Sequence, residues 1–182
     1  GSTWHAAGLV GQLRNSYNLT KMLQISTKLY DELENETGQA TEWKRVGSLR
    51  LASSKDRWDE IRRSVSVGKG FDFDVHLLDP NEIKDICPII NIDNVLGGAY
   101  VPTDGHAEPT SLTNALAKGA KMYGAEFMIG TEVTGFSKKN NSITEIHTNK
   151  GKIVSDKVVN AAGLWGRRVG ELMGIRLPVF NV

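Results

Sequence analysis

The chain has 182 residues, 40% of them apolar and 24% charged, with a formal net charge of +1. That is enough to bury the core of about one domain, and it gives no field that would select nucleic acid as a partner. No apolar run reaches the roughly 20 residues a spanning helix needs and no signal peptide is visible, so no membrane partner is expected, and the single cysteine, Cys87, has no mate for an internal disulfide, which suits a reducing compartment.

The chain opens on Gly-Ser-Thr-Trp-His-Ala-Ala-Gly, an indole beside an imidazole among residues too small to fill space. Ala6, Ala7 and Gly8 let backbone approach a flat, bulky ligand, Trp4 offers a π-face, and His5 a ring nitrogen that can donate, accept or attack. A Gly/Ala-rich turn with a satisfied core histidine would use the same residues. Next, Leu19, Met22, Leu23, Ser26, Leu29, Tyr30 and Leu33 recur at helical spacing, predicting an amphipathic helix over 18–37 stopped by Gly38. Residues 43–52 alternate and carry β-formers, predicting a strand. Ser53 or Ser54 caps a second helix to about Val67, with Trp58, Ile61 and Val65 inward. A strand is expected over 71–77. Asp79-Pro80-Asn81-Glu82 then has the marks of a helix start, a capping carboxylate with Glu three residues later.

Residues 95–101 predict another strand, and Pro109 opens a helix with Gly124 past its end. From Glu126 the pattern turns to β, with strands expected over 126–129, 132–137, 142–148, 152–154 and 156–160, the turns marked by Asn140-Asn141 and Lys150-Gly151. A last helix runs over 164–173. Helices and strands thus alternate before a β-meander, an α/β or α+β layout.

Arg50, in Gly-Ser-Leu-Arg-Leu, is placed to point from a strand into a pocket and pair with a carboxylate, although an exposed strand arginine is the commoner case. Asp104-Gly105-His106 offers a donor–acceptor pair or, more simply, a turn with a surface histidine. Val159-Asn160-Ala161-Ala162-Gly163 reads as a strand ending in a turn small enough for a ligand, or a helix, to sit against its backbone. His76 and His147 lie in strand-like segments and receive no role. The four histidines and Cys87 match no metal-ligand spacing, so no metal is expected.

The opening octapeptide, with Glu-Thr-Gly-Gln at 36–39, Gly-Ser-Leu-Arg-Leu-Ala at 47–52, Asp-Gly-His at 104–106 and Val-Asn-Ala-Ala-Gly-Leu-Trp at 159–165, closely resembles the D-amino-acid-oxidase-like family of FAD-dependent oxidoreductases, in its dimethylglycine and sarcosine dehydrogenase branch. The resemblance runs nearly end to end. It implies FAD as cofactor, joined covalently through His5, with Trp4, Ala6, Ala7 and Gly8 beside it, the main chain of Val133 on the adenine edge, and Ala161, Ala162 and Gly163 lining it. It implies a small N-methyl amine substrate, with Arg50 and His106 as candidates to meet it, and hydride transfer to the flavin. It places 1–44 and 108–182 on an FAD-binding side and 45–107 in a smaller, substrate-side antiparallel sheet. The location implied is cytoplasmic, or the mitochondrial matrix in a eukaryote.

The family's strand–Gly-x-Gly-x-x-Gly–helix unit, which cradles the FAD pyrophosphate, has no counterpart here; Gly163-x-x-Gly166 and Gly170-x-x-x-Gly174 do not qualify. The chain is therefore read as a central piece of a longer protein, incomplete at both ends and inactive alone. The alternative is a cofactor-free folded module that serves in binding or assembly.

Overall fold

The computed structural model describes residues 2–140 and 142–179. Asn141, half of one expected turn, and residues 180–182 lie outside them. The chain divides into two compact units at Ala125–Glu126.

The first unit is built on a three-stranded antiparallel sheet in the order β2 (Ser48–Ala52), β4 (Gly97–Val101), β3 (His76–Leu78). Its register runs Ser48–Val101 to Ala52–Gly97, then His76–Tyr100 to Leu78–Gly98. Helix α2 (Lys55–Gly70) covers one face. Ser54 caps it by accepting from the Arg57 N–H, and its expected inward face is the one that packs. Ile61 and Val65 are buried with Leu13, Ala52, Phe73, Val75, Ala99 and Val101, and Trp58 packs against them. Burying each aliphatic side chain of this set contributes about 1.5–3 kcal/mol. Helix α3 (Pro80–Ile86) starts on the expected capping box: Asp79 Oδ1 accepts from Asn81 and Glu82 N–H at 2.7 and 2.9 Å, and Glu82 Oε2 from Asp79 N–H at 2.8 Å.

Helix α1 (Tyr17–Thr37), stopped by Gly38 at φ 62°, departs from its sequence reading in which side it buries. Leu33 is buried as expected, but its companions are Thr20, Thr27 and Thr37. Leu19, Met22 and Leu29 of the expected face are exposed, as is Ile25. Threonines can be buried there because their hydroxyls are bonded: Thr20 Oγ1 accepts from Arg14 N–H and donates to Arg14 C=O, and Thr27 Oγ1 pairs with Gln12 Oε1. Helix α4 (Pro109–Met122) packs on α1 with small residues inward, Ala115 and Gly119 being buried. A two-residue ladder, β1 (Leu9–Val10) on β5 (Gly105–His106), completes the unit.

The second unit is a meander, β6 (Val133–Lys139), β7 (Ser142–Thr148) and β8 (Gly151–Val154), followed by a 3-10 turn (Gly163–Trp165) and helix α5 (Gly166–Leu172). The strands expected over 126–129 and 156–160 do not form. Among the described residues neither has a ladder partner, and local side chains take the backbone groups of the latter stretch. Ser155 Oγ donates to Lys157 C=O at 2.8 Å and accepts from Lys157 N–H at 3.4 Å, and just beyond the stretch Asn160 Oδ1 accepts from Ala162 N–H at 3.2 Å. Three other strands are shorter than expected, 48–52 within 43–52, 97–101 within 95–101, and 76–78 overlapping the end of 71–77. The mixed helix and antiparallel-sheet class holds.

Candidate functional site

The octapeptide leads into the site. Residues Thr3–His5 form one 3-10 turn that packs against α4. The Trp4 and His5 rings stack with centroids 3.7 Å apart and planes tilted by 31°. Trp4 is 64% exposed, and His5 is exposed too. The His5 imidazole takes no hydrogen bond among the described residues, so it is not a satisfied core histidine. Gly8 sits at φ +75°, where a Cβ would collide with the Ala107 carbonyl oxygen, and the Ala107 N–H donates to Gly8 C=O at 2.9 Å. Glycine is required there twice, by conformation and by space.

Beyond Gly8 three strands of backbone lie side by side. β1 pairs with β5, and Lys44 bridges His106 from the other side, with N–H···O distances of 2.8 and 3.0 Å. Under this ribbon lies Asp104, fully buried. Its Oδ1 accepts from Gln12 N–H at 2.9 Å and from Gln12 Nε2 at 3.2 Å, and its Oδ2 from Ser48 Oγ at 2.6 Å. The carboxylate locks the exit of β1 to the start of β2. It is fully engaged below while His106 is exposed above, so the two do not form the donor–acceptor pair that their spacing allowed.

Two open clefts flank the ribbon and share His106. One, of about 620 Å³, is bounded by Ala7, Lys44, Ala107 and Glu108. The other, of about 410 Å³, is bounded by Val10, Gly11, Ser48, Arg50 and Asp104. Glu108 caps α4 at the first cleft, accepting from Thr110 and Ser111 N–H at 3.1 and 2.5 Å. Those backbone N–H groups, Ser111 first, hold its carboxyl below the usual carboxylate range. Sequence reading missed this cap, although Glu108-Pro109 repeats the Asp79-Pro80 pattern that gave α3 away. It also missed Gln12 and Lys44, for which no local signal exists.

In the first unit, Ala7 and His106 line the first cleft, Arg50 and His106 line the second, and Trp4, His5, Ala6 and Gly8 lie on the segment that leads into β1. In the second unit, Val133 opens β6 opposite Thr148, half-buried. Ala161 and Ala162 precede Gly163, which has φ +54°, and Asn160 Nδ2 donates to Gly166 C=O at 2.8 Å, pinning this turn to the start of α5. The turn expected here exists, but it follows irregular chain rather than a strand. Among the described residues no group of three His, Cys, Asp or Glu side chains is placed to hold a metal ion, and no helix is long and apolar enough to cross a membrane.

The profile of the family described as DAO, FAD dependent oxidoreductase, matches residues 1–182. The chain belongs to this family. It is 38% identical over all 182 residues to the mitochondrial dimethylglycine dehydrogenase of Rattus norvegicus, and 36% identical over 185 aligned positions to the mitochondrial sarcosine dehydrogenase of Homo sapiens. It spans 21% and 20% of the length of those two relatives, respectively. Among solved structures it is similar to the L-proline dehydrogenase of P. horikoshii, with a TM-score of 0.90 and 32% identity, covering 96% of this chain and 46% of that one. The resemblance read from the motifs is borne out, and FAD is the cofactor of the family.

Proposed function

We propose that the protein containing this chain is an FAD-dependent amine oxidoreductase acting on an N-methyl amino acid such as dimethylglycine or sarcosine, with its flavin tethered at His5. The observation that carries the proposal is the state of His5: an exposed imidazole with no hydrogen bond among the described residues, stacked on Trp4, at the head of the Gly8 turn. A nucleophilic nitrogen has to be free, and among the described residues no hydrogen bond ties up this one. The small side chains of Ala6 and Ala7 and the bare backbone of Gly8 support a flat ring system beside His5.

When bound, the flavin accepts a hydride from the substrate carbon; the protein binds, orients and excludes water. His5 fixes the ring, and Trp4 packs beside it. His5 would hold the ring system through a C–N bond in place of its imidazole N–H and one methyl C–H, an oxidation whose two electrons would pass, with release of two protons, to the electron acceptor of turnover. Val133, Ala161, Ala162 and Gly163 are assigned to the cofactor in the second unit. Arg50 and His106 are assigned to the substrate side. The stretch 45–107 is the proposed substrate-side segment, and its β2–β4–β3 sheet gives that segment a backbone. The relatives named mitochondrial support a matrix location in a eukaryote.

Anaerobic mixing of the full-length protein with dimethylglycine or sarcosine tests the activity. The expected result is bleaching of the visible flavin absorption by one of them. A flavin-loaded protein that no N-methyl amine bleaches contradicts the substrate class, and a folded, colourless one favours a cofactor-free module instead.

A further inference from the structure

Four polar side chains meet on one face of the β6–β7–β8 meander, and the cofactor reading uses none of them. The register sets Ser137 opposite Glu145 and Lys152 opposite His147. Glu145 and His147 are two apart on β7, so strand alternation brings all four to the same side. Gly135, also opposite His147, adds no side chain to that face. Ser137 Oγ lies 2.7 Å from His147 Nε2 and 3.1 Å from Glu145 Oε2, and those two atoms are 3.6 Å from each other. Lys152 Nζ reaches Glu145 Oε2 at 3.1 Å.

This triangle has the size of one face of a metal coordination shell. Two donors on the same Zn2+, each about 2.0–2.2 Å from it, stand about 3–3.5 Å apart. The donor types fit as well, because imidazole and carboxylate both hold Zn2+ and a hydroxyl oxygen offers a third lone pair. With the imidazole proton on Nδ1, the three atoms share one hydroxyl proton and the Lys152 ammonium, so the cluster already draws a cation to Glu145. The side chains of His147 and Glu145 are 36% and 32% exposed, open enough for a hydrated ion to enter. That of Lys152 is exposed and free to swing away.

We propose that His147, Glu145 and Ser137 form a site for a divalent transition metal, with Zn2+ the best-matched ion and Lys152 its built-in competitor. The ligands come from two strands and one of them is a serine. That is why neither histidine spacing nor a search for three His, Cys, Asp or Glu side chains marks the site. Three protein donors leave a coordination position to water, which makes the site exchangeable rather than closed. The ion ties β6 to β7, and the site does not depend on the flavin.

Calorimetric titration of the full-length protein with Zn2+ tests the proposal, alongside its His147→Gln, Glu145→Gln, Ser137→Ala and Lys152→Ala variants. His76→Gln is the control, since that exposed histidine pairs with Asp74 at 2.8 Å in the other unit. The expected result is saturable binding that His147→Gln and Glu145→Gln each weaken about 10- to 100-fold and Ser137→Ala weakens less. Lys152→Ala should tighten it, and His76→Gln should leave it unchanged. Lys152 is exposed, so its variant keeps the test decisive should a β7 variant fail to fold. Zn2+ binding that is absent below the millimolar range, that survives His147→Gln or Glu145→Gln, or that Lys152→Ala fails to tighten overturns the site.

Discussion

The two units of this chain hold themselves together by different means. The first has a contiguous apolar core between α2 and the β2–β4–β3 sheet, and below its β1–β5 ribbon a buried polar knot of Asp104, Gln12, Ser48 and Thr27. The second is a hairpin meander whose strand residues are at best half-buried, and Met173 is its one buried hydrophobic side chain among the described residues. Its contacts are cross-strand and partly exposed. Ser137 Oγ lies 2.7 Å from His147 Nε2 and 3.1 Å from Glu145 Oε2, and Lys152 reaches the same carboxylate oxygen at 3.1 Å. Rigid placement of site residues is thus a property of the first unit, where burial and satisfied polar groups fix the backbone on both sides of the clefts.

Core truncation breaks this comparison most directly. Ile61→Ala in the first unit should cost about 2–5 kcal/mol in denaturant unfolding, whereas Ile146→Ala, half-buried on β7, should cost about 1 kcal/mol or less. Equal losses would mean that the second unit carries a core of the same kind. Gly8→Ala comes next. It forces a Cβ into the Ala107 carbonyl at a positive φ, and a loss of about 1–3 kcal/mol is expected. A Gly8→Ala protein as stable as the parent would show that the turn relaxes and that its geometry does not fix the site.

The two perturbed carboxylates sharpen the contrast further. Glu108 is held below the usual range by backbone N–H groups of α4, and Glu145 mainly by its bond to Lys152 and then by Ser137. Both folded pKa values are lowered, so each contribution is present above the unfolded pKa and is lost as pH falls through the folded one. Glu108→Gln and Glu145→Gln should therefore differ from the parent near neutrality and converge with it on acidification. Added salt should shrink the Glu145 difference more, because an exposed ion pair is screened while a helix cap is a short-range bond. The smallest effect is expected at Met22→Lys on the exposed face of α1, within about 0.5 kcal/mol.

Much of the framework was legible in sequence because its signals are local. The α2 face of Ile61 and Val65, the α3 capping box and the Gly38 stop each depend on a few adjacent residues, and each appears as read. The site motifs were legible as composition: small residues around Trp4-His5 do make an open turn. What failed depended on partners far along the chain. Helix α1 shows more apolar arc than it buries, since Gln12 and Arg14 satisfy threonines that sequence periodicity assigns to solvent. Residues 156–160 have strand-forming composition, but Ser155 and Asn160 spend the backbone locally. Asp104 looked like one half of a pair with His106, and only the fold shows it committed to Ser48, 56 residues away.

The central claim is that His5 carries the flavin. Acid precipitation of the full-length protein and of its His5→Ala variant, with mass analysis of the peptide containing residues 1–14, tests it most directly. The account predicts yellow colour retained in the pellet of the parent, a flavin-sized mass added to that peptide at His5, and both lost in His5→Ala. Colour released to the supernatant of the parent, or retained in the pellet of His5→Ala, would contradict it.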